Sequence, residues 1–467
     1  MIFLLKRQTA SSWVPDLGAR NGPLYLRIAG ALAQDIQSGR IGPGARLPTH
    51  RSLAYSLGVT VNTVTKAYAE VERNGLVVSR TGRGTYAKDF PEELANDAAL
   101  PQETINLSAN TVSSEAFSPV FNQMLGMLSR RGSLHGLLEY HPHPSLYRHR
   151  AAGARWISQR GLEADPDQVI VCYGAQEAML AALLAIARPG ATVVTEQLNY
   201  TGVRHVGEIL NVNLCGVATD VQGLVPDALE AACRREKVAA ILVSPTNHNP
   251  TNATAPLDRR REIVEIARRA GVLLIEDDTH GHIAGHPVPP LTALAPESSI
   301  YICGLSKSIV AGLRLGYMLA PAAMVSRLID SLSKVYWNPP MLLGEIATLL
   351  IEDGHADSFL EWHRREALTR LELAQEVLGI ESGPGLPSYH LWLPLPDPWR
   401  AIDFAAEVEA RGVLVAPSDK FAVDRSPAPH AVRISLGWMR DIPTLREGLH
   451  TVADTLAGRS RPAGSVR

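Results

Sequence analysis

Long apolar runs, paired cysteines and net charge are all wanting in this 467-residue chain. Its four cysteines, Cys172, Cys215, Cys233 and Cys303, lie far apart with no CxxC pair. That excludes a disulfide framework and a zinc knuckle, and leaves free thiols in a reducing cytosol as the expectation. The longest apolar helical stretch, around Ala178–Ala187, is far shorter than the ~20 residues a membrane span requires. The opening MIFLLKRQ has too short an apolar run for a secretory signal, and its basic residues stand on the wrong side. A cytoplasmic protein with no membrane partner is expected. There is no internal repeat or low-complexity tract, and a formal net charge of −2 gives no global pull toward nucleic acid.

With 46 % hydrophobic and 20 % charged residues, the chain has the make-up of a globular protein, and its length calls for two or three domains. The texture changes near Ala87. Residues 21–87 hold eight cations (Arg27, Arg40, Arg46, Arg51, Lys66, Arg73, Arg80, Arg83) against three anions (Asp35, Glu70, Glu72), an excess of five positive charges. Residues 88–104, KDFPEELANDAALPQET, are acidic, proline-punctuated and aperiodic, which reads as a linker. From 105 to 460 the apolar runs VIVCYG, ATVVTE, AAILVSP, VLLIEDD and IYICGLS alternate with helical segments such as LDRRREIVEIARRAG. Such alternation predicts an α/β domain with a mostly parallel sheet between helices, its sites at the polar turns that end the strands.

In the basic segment, PLYLRIAGALAQDIQSG has helical apolar spacing and stops at Gly39. A short amphipathic helix, THRSLAYSLG, follows the turn GPGARLP; Thr60 then caps VNTVTKAYAEVERNG, and LVVSRTGRGTYA closes the segment as a hairpin. This order predicts a winged helix-turn-helix. Thr60, Asn62, Thr63 and Thr65 suit contacts to base edges and phosphates, and Arg51, Arg80 and Arg83 suit backbone positioning. A small basic domain that binds protein is the alternative. The run from Pro23 to Tyr86, including RLPTHRSLAYSLGVTVNTVTKAYAEVERNGLV and SRTGRGTYA, resembles the GntR-family winged helix. The resemblance implies that Arg51, Thr60–Thr65 and the wing turn at Gly82 contact double-stranded operator DNA. Val61 stands where some members place a base-reading arginine, so the operator sequence is not implied.

In the second segment, CGLSKSIVAGLRLGY (303–317) puts Lys307 just beyond an apolar strand and Arg314 seven residues later. A buried lysine is costly unless its amine is used; desolvation lowers its pKa and lets it form a Schiff base, while an arginine can hold a phosphate. Three other strand ends add chemistry. IEDD (275–278) brings carboxylates, SPTNHNPTN (244–252) amides, and CYGAQEAML (172–180) a glycine turn opening a helix, whose free amides suit an anion. Together these are the groups pyridoxal 5'-phosphate requires.

From about Ile105 to Leu456 the chain resembles fold-type I aminotransferases, and with the reader in front it resembles the MocR subfamily of GntR regulators. The resemblance implies pyridoxal phosphate on Lys307, with Asp277 at the pyridine nitrogen and Asn249 at the ring hydroxyl. Tyr200 would stack on the ring, and Gly174, Ala175, Gln176, Ser306 and Arg314 would hold the phosphate. It further implies that Arg433, in VRISLG, grips the carboxylate of an amino acid. Tyr140 would reach the phosphate of a neighbouring subunit, which implies a homodimer. Several positions depart from the pattern. Gly304 and Ala175 lack hydroxyls common there, and each lost charge-assisted bond is worth roughly 1.5–3 kcal/mol before water compensates. Thr279 replaces a usual tyrosine, and YHPHPSLYR departs from the glycine-bearing consensus after Tyr140. His280 falls where aminotransferases place a tyrosine near the ring hydroxyl; a solvated loop histidine is the alternative.

The remaining features read plainly. Arg259, Arg260 and Arg261 form a solvated helix face, and Trp156 and Leu162 are core. The histidine groups 280, 282, 286 and 141, 143, 149 lack ligand spacing, so no metal is expected. Two functions compete. In one, an amino acid or amine effector displaces Lys307, forms an external aldimine and alters operator binding by the dimer. In the other, the chain is an active aminotransferase carrying a DNA-binding domain, with Lys307 shuttling the α-proton. A domain that only senses cofactor supply is a third reading.

Overall fold

The computed structural model describes residues 13–17, 22–37, 40–42, 44–74, 76–80, 84–87, 104–113, 115–130, 134–141, 146–285, 288–337, 339–380, 385–439 and 441–458. The chain divides into two compact units, residues 1–100 and 101–467. The linker expected at 88–104 lies, but for its last residue, outside the described residues.

In the first unit, α1 (Leu24–Gln37), α2 (His50–Leu57) and α3 (Val61–Arg73) precede the antiparallel pair β1 (Val77–Arg80) and β2 (Gly84–Ala87). The turn before α3 is made locally: the Thr60 hydroxyl accepts the Thr63 amide at 3.2 Å, satisfying a donor the helix start leaves open. Ile28, Leu32, Leu53, Val64, Ala67 and Val71 pack the three helices together. Trp13, upstream of the expected boundary at 21, is buried in the same core and donates its indole N–H to Asp35 at 2.8 Å.

The second unit is built on seven strands. They are β3 (Val169–Cys172), β4 (Thr192–Glu196), β5 (Asn213–Val217), β6 (Val238–Val243), β7 (Leu273–Asp277), β8 (Ser299–Gly304) and β9 (Gly316–Leu319), in the spatial order β3-β9-β8-β7-β6-β4-β5. The neighbours from β8 through β5 run parallel, whereas β9 is antiparallel to both β8 and β3. Alternation along the strands serves two faces. Ile170, Cys172, Ile275, Ile300, Ile302 and Met318 meet the helix α5 (Ala175–Ile186). On the other face, Val169, Val171, Tyr301, Cys303 and Tyr317 meet α4 (Tyr147–Ser158) through Trp156 and Ile157. Further along that second face, Val194, Ile241 and Leu274 meet α6 (Leu257–Ala270). Trp156 and Leu162 are core, and all four cysteines are free.

A smaller layer follows. The strands β10 (His390–Pro394), β11 (Ala416–Pro417) and β12 (Ala431–Ser435), in the order β10-β12-β11, pack with α7 (His355–Leu378) and α8 (Ile442–Leu456) around Leu371, Phe404, Ile434 and Leu449. Residues Ile105–Asn106 pair in parallel with Val413–Leu414, and Leu107 is buried in this smaller core. The segment that opens the second unit is therefore anchored in its C-terminal layer. Among the described residues no helix is long and apolar enough to cross a membrane.

Candidate functional site

A cavity of about 470 Å³ opens at the carboxyl ends of the parallel strands, and its wall includes Lys307, Asp277, Asn249, Tyr200, Ala175, Gln176, Ser306, Arg314, His280 and Arg433. Lys307 sits three residues beyond β8, half-buried, and donates to the Asn110 carbonyl. Burial, then the nearby charges of Arg433 and Arg314, push its amine down to about 7. A substantial neutral fraction is nucleophilic at physiological pH.

Asp277 ends β7 with its carboxyl in the cavity wall. Burial pushes its pKa up, opposed by two bonds from Thr279, whose amide and hydroxyl reach Oδ1 at 3.1 and 2.5 Å. The next residue faces elsewhere: Asp278 is fully buried against Arg160 at 2.8 Å and accepts the Tyr301 hydroxyl at 2.9 Å. Gly281 makes room for that carboxylate, since a Cβ there would fall 2.1 Å from Asp278 Oδ2. The pair locks the turn that carries Asp277 and Thr279.

One end of the cavity is shaped by backbone. Gly174 caps α5 at φ 98°, a conformation L side chains rarely adopt, and an added Cβ would lie 3.7 Å from an Arg314 nitrogen. Arg314 itself holds φ 47°, strained for a non-glycine residue, at the end of a short 3-10 turn. Its guanidinium lies beside the start of α5, where a helix leaves its first amides open. Tyr200 donates its hydroxyl to Gln176 Oε1 at 2.9 Å. Gly304, Ala175 and Thr279, three of the departures from the family pattern, share one wall: a Cβ on Gly304 would touch both neighbours at 3.6 Å.

At the opposite end Arg433, on β12, donates to Asn249 Oδ1 at 2.8 Å and to the Ser108 carbonyl at 2.6 Å, and lies 4.8 Å from the Phe421 ring centre. Burial pushes it down only to about 10, so it stays cationic, and its buried Nε has no partner among the described residues. His280 is 9 % exposed in the cavity wall, edge-on to His390 at 5.2 Å, so the solvated-loop alternative does not hold. Burial, then His390 and Lys307, keep it well below the usual histidine pKa. Tyr140 stands apart from these groups, 78 % exposed.

Three contributors had no sequence signal or a misleading one. Ser108 and Asn110 present carbonyls to Arg433 and Lys307, and backbone acceptors carry no residue signature. Arg260 overturns the reading of a solvated arginine face. It is fully buried, donating to the carbonyls of Ala255, Pro245 and Pro289 and to the Thr246 hydroxyl, with Glu276 3.9 Å away. An arginine run on an amphipathic helix hides one inward position, because its long stem crosses the apolar layer.

In the first unit Arg51, Thr60, Asn62 and Thr65 are exposed and Thr63 is half-buried around the start of α3. The Thr65 hydroxyl is already engaged by the Val61 carbonyl at 3.0 Å and His50 Nδ1 at 3.1 Å. Gly82 and Arg83 lie outside the described residues, as does the Arg80 side chain.

The chain matches the family of aminotransferases class I and II over residues 102–449 and the bacterial regulatory proteins of the gntR family over residues 24–87. It is 30 % identical to the HTH-type pyridoxine biosynthesis transcriptional regulator PdxR of Corynebacterium glutamicum, covering 74 % of this chain and 76 % of that one. The chain belongs to the MocR-type regulators. Two further relatives are similar to this chain over most of their length. YdeF of Bacillus subtilis, an uncharacterized HTH-type transcriptional regulator, is 28 % identical over 94 % of this chain and 95 % of its own. TauR of Rhodobacter capsulatus is 27 % identical over 86 % and 90 %. Among solved structures the second unit has the fold of kynurenine aminotransferase from Pyrococcus horikoshii, in complex with PMP (TM-score 0.70, 19 % identity, 76 % of this chain and 91 % of that one). It also has the fold of LysN from Thermus thermophilus, complexed with N-(5'-phosphopyridoxyl)-L-leucine (TM-score 0.69, 22 % identity, 76 % and 93 %).

Proposed function

We propose that this chain is a pyridoxal-phosphate-dependent transcription regulator that acts in the cytoplasm as a homodimer on operator DNA and answers to an amino acid or amine effector. One observation carries the reading: a lysine held near neutrality and a carboxylate held against burial face one cavity with an unpaired buried arginine nitrogen. The donor set fits the cofactor. Gly174, Ala175, Gln176, Ser306 and Arg314 would take the phosphate, Asp277 the ring nitrogen, Asn249 and His280 the hydroxyl side, and Tyr200 the ring face. When bound, the cofactor supplies an aldehyde that condenses with a primary amine, that of Lys307 at rest and of the effector in its place.

Arg433 would fix the effector's carboxylate, which must then replace what Arg433 bonds without it. Both Arg433 and Lys307 donate to carbonyls of residues 108–110, the stretch that follows the linker in sequence. An effector that occupies Arg433 and frees the Lys307 amine changes the hold on that stretch, which is the differential interaction a ligand needs to shift an equilibrium. The exposed apolar side chains of Leu138, Tyr140, Tyr147 and Trp337 suit a second copy, with Tyr140 given to the partner's phosphate. Arg51, Thr60, Asn62, Thr63 and Thr65, with Arg80, Gly82 and Arg83 of the wing, would meet the operator.

The test is direct. Added pyridoxal phosphate should give wild-type protein a visible absorbance band, which amines perturb together with operator affinity. Lys307→Ala should lose the band and the response while the 1–88 fragment still binds DNA weakly. A colourless wild-type protein would refute the reading. An active transaminase remains the second reading, because an amine near neutrality can also move an α-proton. Sustained turnover of an amino acid with a keto acid would favour it.

A further inference from the structure

The cavity wall carries a cation that the reading above leaves idle. Its charged lining is Lys307, Arg314, Lys420 and Arg433 against a single carboxylate, Asp277. With phosphate at Arg314, a ring nitrogen at Asp277, Lys307 displaced from the cofactor and one carboxylate at Arg433, Lys420 still has no counter-charge. Its chain neighbour does not supply one, for Asp419 lines a different groove, with Arg204, Glu208 and Asp424. Among the described residues Lys420 has no ion-pair or hydrogen-bond partner.

Lys420 stands at the effector end. It belongs to the short 3-10 turn Ser418–Phe421, and its neighbour Phe421 is the ring on which the Arg433 guanidinium rests at 4.8 Å. Ala416, also in the cavity wall, pairs directly with Arg433 across β11 and β12. Lys420 and Arg433 therefore line the same cavity from neighbouring stretches of chain, joined through Phe421 and Ala416. Lys420 is exposed, so its ammonium waits at the rim without the desolvation cost of a buried charge.

We infer that the effector carries a second anionic group, a carboxylate, sulfonate or phosphonate on the side chain of an amino acid, and that Lys420 selects it. The inference rests on the cofactor-and-effector reading above and sharpens its ligand class. A compact ammonium on a flexible stem serves as a point charge and tolerates differing anion geometry, whereas the planar fork of Arg433 suits a fixed carboxylate. A neutral side chain would leave that ammonium only water, so the site distinguishes acids from their amides by one ion pair.

The experiment titrates the pyridoxal-phosphate-loaded full-length protein with L- and D-forms of aspartate against asparagine and glutamate against glutamine, and with cysteate, following the visible spectrum. In at least one pair the acid should bind tenfold or more tighter than its near-isosteric amide. K420Q should bring that ratio close to one, and K420R should keep most of it. A wild-type ratio near one, a preference that survives K420Q, or no response to any acidic amino acid would each overturn the inference while leaving the cofactor reading in place. Absence of the band itself would overturn both.

Discussion

Thr279 places its amide and its hydroxyl on the same oxygen of Asp277, at 3.1 and 2.5 Å. Burial alone would drive that carboxyl toward its neutral form; the two donors oppose this and leave the group facing the cavity. Thr279→Val should raise the Asp277 pKa further and weaken pyridoxal phosphate binding about tenfold, the effect of one charge-assisted bond. Because a raised carboxyl pKa shrinks the ionised fraction as pH falls, the deficit should grow below neutrality, and Thr279→Ser should cure it. Absorbance titrations from neutral to mildly acidic pH would check both points.

Lys307 titrates at about 7 in the folded protein, against about 10.4 for a free side chain. Capture of pyridoxal phosphate should therefore accelerate as pH rises through about 7 and level off above it, where stopped-flow absorbance can follow it. The sign for stability is the reverse of a salt-bridged lysine. Between the two pKa values unfolding takes up a proton, so this group's destabilising burden is complete below about 7 and fades toward alkaline pH. Lys307→Met should raise the denaturation midpoint of cofactor-free protein more at pH 7 than at pH 10.

Arg260 and Arg261 are neighbours on α6 with opposite surroundings. Arg260→Met leaves three carbonyls, the Thr246 hydroxyl and Glu276 buried without their cation, and should cost about 3–5 kcal/mol in urea unfolding. Arg261 is exposed, its ion pair with Asp258 spanning 3.4 Å, and Arg261→Ala should fall within about 0.5 kcal/mol of wild type.

Asn106 Oδ1 accepts the Ser108 amide, the Ser108 hydroxyl and the Ala109 amide, and so shapes the stretch whose carbonyls meet Arg433 and Lys307. Asn106→Ala should keep the cofactor band yet blunt the effector-induced change in operator affinity severalfold. Paired absorbance and DNA-binding titrations would show whether the two responses separate.

Much of this was legible in the residues. Strand ends announce themselves through apolar runs that stop at polar turns, which is why Lys307, Asp277 and Asn249 could be placed on one rim. Thr60 could be read as a cap because its side chain acts on its own backbone. What stayed hidden depends on long-range packing. Nothing in GYML reveals that β9 runs against its neighbours, since a strand buried on both faces has the same apolar run in either direction. Asp278 and Arg160, 118 residues apart, meet only in the folded core. Arg260 was misread because charge in a helical repeat normally marks water, and only the carbonyls gathered around it reverse that rule.

The antiparallel course of β9 has a last consequence. Lys307 and Arg314 share the single connection between β8 and β9, and β9 is hydrogen-bonded to β8 on one side and to β3, which ends beside Gly174, on the other. Amine and guanidinium are spaced by a stretch of chain pinned at both ends. Surface connections usually absorb an extra residue with little harm. Here one insertion would throw both groups out of step with the glycine turn together, so the length of this connection, more than the identity of its apolar residues, is what descendants of the chain are constrained to keep.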